Sequence, residues 1–262
     1  MYIFNRMRQL YETAPPESTE YILSRYIILN IKRINSLSIV EISKETAISK
    51  SVISKFIKKL TFNNGFAQFK SSLEFELQYI QDRHIQLLDA KEIENLSINI
   101  GKYQGYQLYN FISMDSVKKF ARLLDKKKKI IFFGDDSKKS FFHNLINILL
   151  FDGKDAKFAS YVFTDNINKE LSSLDSSSLM VLIDLSSNLY DFTLRVSMSV
   201  DMPRDLGKIN CDKYYIGRPS KIKDSFSILE VETTKQLFLE DIVLTFLCSQ
   251  IIKEYLLINT HA

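Results

Sequence analysis

Between Lys50 and Leu60 the sequence runs KSVISKFIKKL, preceded by Ser49. Four lysines (Lys50, Lys55, Lys58, Lys59) and three hydroxyls (Ser49, Ser51, Ser54) fall in this stretch, with no acidic residue among them. Ammonium groups neutralise phosphates and release counterions, giving a salt-sensitive affinity that is blind to base sequence. Serine hydroxyls donate and accept hydrogen bonds, at phosphates or at base edges. Wound as a helix, the stretch places Val52, Ile53, Phe56, Ile57 and Leu60 on one face, which predicts a buried side. Lys50, Ser51, Ser54, Lys55, Lys58 and Lys59 lie on the other. That face carries no Arg, Asn or Gln, so bidentate recognition of a base needs help from elsewhere. A solvated lysine face on an ordinary helical bundle fits the same periodicity and stays open as an alternative.

The neighbouring elements must position this face. Pro15-Pro16-Glu17-Ser18-Thr19 breaks the chain and starts a helix, predicted to continue to Ile34. A short helix follows over Ser38 to Thr46 with Ser38 as its cap, and Ala47-Ile48-Ser49 forms a tight turn. Two helices joined by so short a turn have the layout of a helix-turn-helix, whose second helix enters the major groove. Leu73 to Leu96 has a helical pattern that bridges to the rest of the chain. Gly101 and Gly105 interrupt it, and another helix covers Ser113 to Leu124. After the run Lys126-Lys127-Lys128-Lys129 the character changes. Strands are predicted at Ile130–Phe133, Phe158–Phe163, Leu179–Leu185, Lys213–Ile216 and Ser225–Val231. Helices are predicted at Ser137–Leu150, with Phe141, Leu145, Ile148 and Leu149 inward, and at Thr234–Leu257. Near-continuous apolar strands between helices are the pattern of a parallel sheet covered on both faces. The lysine run is a solvated lead-in to the first strand, with nonspecific DNA contact as the alternative.

Composition narrows the function classes. The 262 residues are 45% hydrophobic and 25% charged, an ordinary globular balance, with a mild net charge of +4. Cys211 and Cys248 are far apart, match no metal spacing and read as reduced, buried thiols of a cytoplasmic protein. Met1 to Leu10 carries Arg6 and Arg8 and is no secretory signal, and no segment reaches the ~20 apolar residues of a membrane span. His84, His143 and His261 are isolated, so no metal site is predicted. No nucleophile, base and acid come together by spacing. The expectation is a protein without catalysis or cofactor.

The segments Ser38 to Ser43 and Ser49 to Leu60 resemble the N-terminal domain of RpiR-type (MurR/RpiR) transcription regulators. The run Leu60-Thr61-Phe62-Asn63-Asn64-Gly65-Phe66-Ala67-Gln68-Phe69-Lys70 adds to the likeness. That family follows its recognition helix with a leucine-glycine-phenylalanine turn, then a glycine-phenylalanine pair and a lysine. Gly65, Phe66, Phe69 and Lys70 match; Thr61 replaces the first glycine. Ala47 stands where glycine is frequent, and Lys55 where arginine is usual, which keeps the charge but loses the planar fork. The resemblance implies two domains: an all-α helix-turn-helix bundle, then an α/β sugar isomerase (SIS) domain with a five-stranded parallel sheet flanked by helices. The corresponding division is 1–75, a helical linker at 76–112, and 113–262. It further implies double-stranded DNA as partner, at a palindromic operator matched by a homodimer or tetramer. Ser49, Lys50, Ser51, Ser54, Lys55, Lys58 and Lys59 would contact the DNA, and the genes controlled would be carbohydrate-related.

The resemblance also places an effector, a sugar phosphate or an altered ligand, at two turns after strands. After the first strand Gly134 and Ser137 match the family pattern, whereas Asp135 and Asp136 oppose an anion. After the third strand candidate Ser186 matches and Ser187 follows it. Asn188, Leu189 and Asp191 stand at the family's serine, glycine and threonine, and leucine does not readily take a positive φ. The expectation is a degenerate or altered sensor. Ser137 and Ser186 acting only as helix caps, a pocket for an uncharged or cationic ligand, and ordinary phosphosugar sensing are the three alternatives. The function expected is that of a regulator, against an isomerase-like enzyme or a non-catalytic interaction protein.

Overall fold

The structure is a computed structural model that describes residues 3–88, 112–160, 170–185, 209–217, 226–231 and 237–260. It divides into two compact units, one of residues 1–86 with 149–155, the other of residues 87–148 with 156–262.

The first unit begins with α1 (Ile3–Thr13), an element the sequence reading leaves unassigned. Its buried residues Ile3, Phe4, Met7 and Tyr11 recur at helical spacing, interrupted by Arg6, Arg8 and Glu12. Two of its first amides, those of Ile3 and Phe4, donate to Oε1 and Oε2 of Glu76, each at 3.0 Å, which satisfies donors the helix cannot. Next, α2 (Thr19–Leu29) starts on the Ser18 cap and stops five residues short of the predicted end. Asn30 ends it by donating its side-chain amide to the Tyr26 carbonyl at 2.8 Å, and a short 3-10 turn, Ile31–Arg33, follows. Then come α3 (Ile39–Thr46), α4 (Lys50–Leu60) and α5 (Phe66–Leu88). The predicted extension of α5 to Leu96, and the breaks at Gly101 and Gly105, lie outside the described residues.

Leu149–Asp155 belongs to this unit, although the sequence division counts it with residues 113–262. The Phe151 ring stacks on Phe4 at 4.2 Å. The buried Asp155 carboxylate accepts from the Tyr11 hydroxyl and from Arg25, Nη2 at 2.7 Å and Nε at 3.2 Å. Lys32 pairs with Asp152 at 2.9 Å.

The second unit contains α6 (Met114–Lys126), β1 (Lys129–Gly134), α7 (Lys139–Phe151), β2 (Asp155–Ser160), β3 (Ser178–Asp184), β4 (Asp212–Gly217), β5 (Ser227–Glu230) and α8 (Leu237–Thr260), apart from the residues that α7 and β2 give to the first. The strands form a five-stranded parallel sheet in the order β2-β1-β3-β4-β5, so the chain crosses over after β2. Alternate residues serve opposite faces. Ile131, Phe133, Met180, Leu182 and Tyr215 pack with Leu171 and Leu174 on one side. On the other, Phe132 meets Phe142 at 5.3 Å and Tyr214 meets Phe120 at 4.5 Å between ring centroids. Every residue of β3 is buried, as a central parallel strand requires.

Several expectations are corrected here. β2 begins three residues before the predicted strand because its charges are paired: Asp155 as above, and the buried Lys157 with Glu170. On α7 it is Phe142 that is fully buried, while Phe141 is half-buried. The lysine run is only partly solvated, since Lys127 pairs with Asp212 at 2.8 Å and Lys129 with Glu170 at 3.8 Å. Cys248 is buried but Cys211 only half-buried, and burial pushes both thiols up from their ordinary values. No described helix is long and apolar enough to cross a membrane.

Candidate nucleic-acid interface

Local chemistry explains the helix pair. Ser38 and Glu41 form a reciprocal capping box: the Glu41 amide donates to the Ser38 hydroxyl at 3.2 Å, and the Ser38 amide to the Glu41 carboxylate at 2.7 Å. Those bonds to Ser38 hold the Glu41 carboxyl below its usual range. α3 ends at Ala47, which takes the left-handed conformation with φ 57° where glycine is the easier residue. Ser49 then caps α4, accepting from the Val52 amide at 3.4 Å. Ile53, Phe56, Ile57 and Leu60 are buried as predicted. At its far end Thr61 donates to the Ile57 carbonyl at 2.8 Å, and the Asn63 amide to the Lys58 carbonyl at 2.9 Å. Phe62, with φ 52°, fills the left-handed position usual for glycine after such an end. It is 76% exposed, and the Arg6 guanidinium lies 5.1 Å from its ring centre.

Lys70 has a structural task. Its ammonium donates to the carbonyls of Asn35 at 2.7 Å and Leu37 at 3.1 Å, pinning the loop that leads into α3. It also sits 5.2 Å from the Phe66 ring centre.

The polar residues of α4 share one face. Lys50, Ser51, Lys55, Lys58 and Lys59 are exposed along α4, and Ser54 is half-buried. Ser49 is exposed too, its oxygen committed to the cap and 3.2 Å from the Ser51 hydroxyl. Lys59 stands 3.5 Å from Glu20, whereas Lys50, Lys55 and Lys58 make no ion pair among the described residues. Free amides of the first turn add partial positive charge at the end where Lys50 and Ser51 sit. One residue departs from the pattern. Val52, predicted on the buried side, is 37% exposed. It stands at the edge of the apolar face, one position before Ile53, and the core is closed by Ile53, Phe56 and Ile57 without it.

Residues 1–79 match the family model described as the helix-turn-helix domain, rpiR family. This region is an rpiR-family helix-turn-helix domain. No curated protein sequence matches the chain. Among solved structures, the Vibrio vulnificus NanR protein complexed with ManNAc-6P aligns at 13% identity and TM-score 0.41, over 99% of this chain and 93% of that one. The sugar isomerase domain of an RpiR transcription factor from Sphaerobacter thermophilus aligns at 13% identity and TM-score 0.46, over 65% of this chain and 90% of that one. The C-terminal domain of glucosamine-fructose-6-phosphate aminotransferase from Francisella tularensis aligns at 13% identity and TM-score 0.45, over 82% of this chain but 53% of that one. In the rpiR-family domain the motif residues Phe69 and Lys70 thus have visible work, one in the core and one on the loop before α3.

The second candidate site is the carboxyl edge of the sheet in the other unit. Gly134 closes β1 where an added Cβ would come within 3.3 Å of Ile183 and Phe158, so the glycine serves packing. The Ser137 amide, a donor for an anion, is taken by the Asp135 carboxylate at 2.8 Å. Asp135, not Ser137, is therefore the cap of the 3-10 turn that follows β1. Ser137 itself is exposed. Lys138 is drawn to Glu240 at 3.7 Å and Asp241 at 3.3 Å at the start of α8. Asp184 ends β3 buried, accepting from the Tyr215 hydroxyl at 3.2 Å; burial, then this carboxylate, push that phenol up. A Cβ on Gly217 would lie 2.0 Å from the Asp184 carbonyl oxygen, so no larger residue fits beside it. Ser186, Ser187, Asn188, Leu189 and Asp191 lie outside the described residues, as does His261. His143 is exposed on α7.

Proposed function

We propose that the protein is a transcription regulator that binds double-stranded DNA through α4, with Ser49, Lys50, Ser51, Ser54, Lys55, Lys58 and Lys59 at the contact. The observation that carries this reading is the exposed, acid-free lysine and serine face on the second helix of an rpiR-family helix-turn-helix domain. Lysines at these positions attract phosphates, and the first turn of the second helix is the part that meets base edges. One small reading helix gains useful affinity from a second copy, so a homodimer or tetramer on a palindromic operator goes with the proposal.

In the same reading the sheet unit is an altered sensor of a carbohydrate-related signal in the cytoplasm, and not an enzyme. Gly134, Ser137, Ser186 and Ser187 are its candidate ligand residues. The occupied Ser137 amide and the acidic surroundings of Lys138 favour a ligand other than a simple phosphate. The test is selection of bound duplexes from a random pool by the full-length protein at near-physiological salt. A palindromic motif is expected, lost when Lys55 and Lys58 are both replaced by Glu in a protein that keeps its helical content. Retention of the motif by that double variant refutes α4 as the reader.

A further inference from the structure

The lysines of α4 give affinity without much choice of base, and its serines bond to several partners alike. That leaves the source of sequence preference unassigned. Val52 is the one apolar side chain that the first turn of α4 exposes, at 37% of its surface. The core does not require it, since Ile53, Phe56, Ile57 and Leu60 are buried on their own account. Its backbone is fixed, because its amide is the one that the Ser49 cap holds at 3.4 Å. A β-branched side chain in a helix has one strongly preferred χ1, so its methyl groups are held in place before any partner arrives.

In the major groove thymine differs from cytosine by a C5-methyl group as well as by its hydrogen-bonding edge, and an apolar side chain reads that methyl. We propose that Val52 is a specificity-determining residue that packs on a thymine methyl, so that each half-site contains a thymine it recognises. This rests on the reading of α4 as the DNA-binding helix. Lys50 and Ser51 flank it with the charge and hydroxyl that hold the backbone and neighbouring edges. Val40, 55% exposed on α3, is the matched comparison, since the first helix of such a pair crosses the backbone rather than entering the groove.

The experiment uses the full-length protein and the motif recovered by duplex selection, with each thymine replaced in turn by deoxyuridine, which lacks only the methyl. At one thymine per half-site the replacement weakens binding about fourfold, the worth of one buried methyl-sized group. Val52→Ala weakens binding to the thymine duplex by a similar factor and is indifferent to uracil at that position, while Val40→Ala keeps the full uracil effect. Uracil duplexes that bind as well as thymine duplexes at every position overturn the assignment, as does a Val52→Ala protein that keeps the uracil effect. Either result leaves the regulator reading intact. Recovery of no motif overturns both.

Discussion

On the proposed DNA-contacting face of α4, removing one cation changes how steeply binding depends on salt. Lys55 is exposed, makes no ion pair among the described residues, and shares its helix with no acid. Each phosphate neutralised on B-DNA contributes about 0.9 to the slope of log K against log salt. Lys55→Gln keeps length and helix propensity while deleting the charge, so the slope falls by about 0.9 per bound copy. Between about 50 and 200 mM salt, a fourfold change, wild-type binding drops roughly 3.5-fold more than that of the variant for each copy engaged. Lys59 is an internal control. Glu20 at 3.5 Å already offsets part of its charge, so Lys59→Gln changes the slope by less. Fluorescence anisotropy titration of a labelled duplex at five or so salt concentrations measures both slopes. Neither substitution should shift chemical denaturation appreciably, because both side chains are surface groups away from any buried network. Parallel plots for wild type and Lys55→Gln would refute the assignment of Lys55 to a phosphate, and with it the electrostatic case for α4.

Two other substitutions test how the domain is built. Lys70→Met removes the donor to the Asn35 and Leu37 carbonyls while keeping most of the aliphatic stem, and should lower stability by about 1–2 kcal/mol, read by urea denaturation. Unchanged stability with weakened DNA binding would move Lys70 from the loop to the interface. Asp155→Asn deprives Tyr11 and Arg25 of their shared carboxylate and should cost about 1–2 kcal/mol, discounted because the Arg25 side chain is 44% exposed. The check is a loss of helical signal at lower urea than wild type; coincident curves would refute the structural weight given to this cluster.

The sequence made some elements plain and hid others for identifiable reasons. α4 was legible to the residue because its caps, apolar spacing and charges all agree, and Ser38 announced α3 through its capping box with Glu41. α1 was hidden because Arg6, Arg8 and Glu12 dilute its apolar stripe, although Ile3, Phe4, Met7 and Tyr11 keep helical spacing. The early start of β2 was hidden because Asp155 and Lys157 look like loop residues until their partners, Arg25 and Glu170, are known. Such pairs join positions far apart in sequence, which no local pattern reports. Periodicity puts Val52 on the buried face, but a helical stripe has edges, and spacing alone does not say which edge residue the core leaves out. The sequence shows a carboxylate at Asp135, but its capture of the Ser137 amide is visible only in the geometry of the turn.

The seating of Phe151 against Phe4, and of Asp155 against Tyr11 and Arg25, fixes the order in which this protein can be completed. A chain leaving the ribosome has made all of α1 to α5 long before Asp155 emerges, so the N-terminal unit waits unfinished until the first part of the sheet region has been synthesised. A cut after α5 therefore does not carry the whole of this unit. A fragment ending there keeps every residue of the helix-turn-helix yet lacks the pieces that cover Phe4 and neutralise Arg25. Inherited changes within Leu149–Asp155 therefore bear on the N-terminal unit while sitting in the stretch of gene that encodes the sheet.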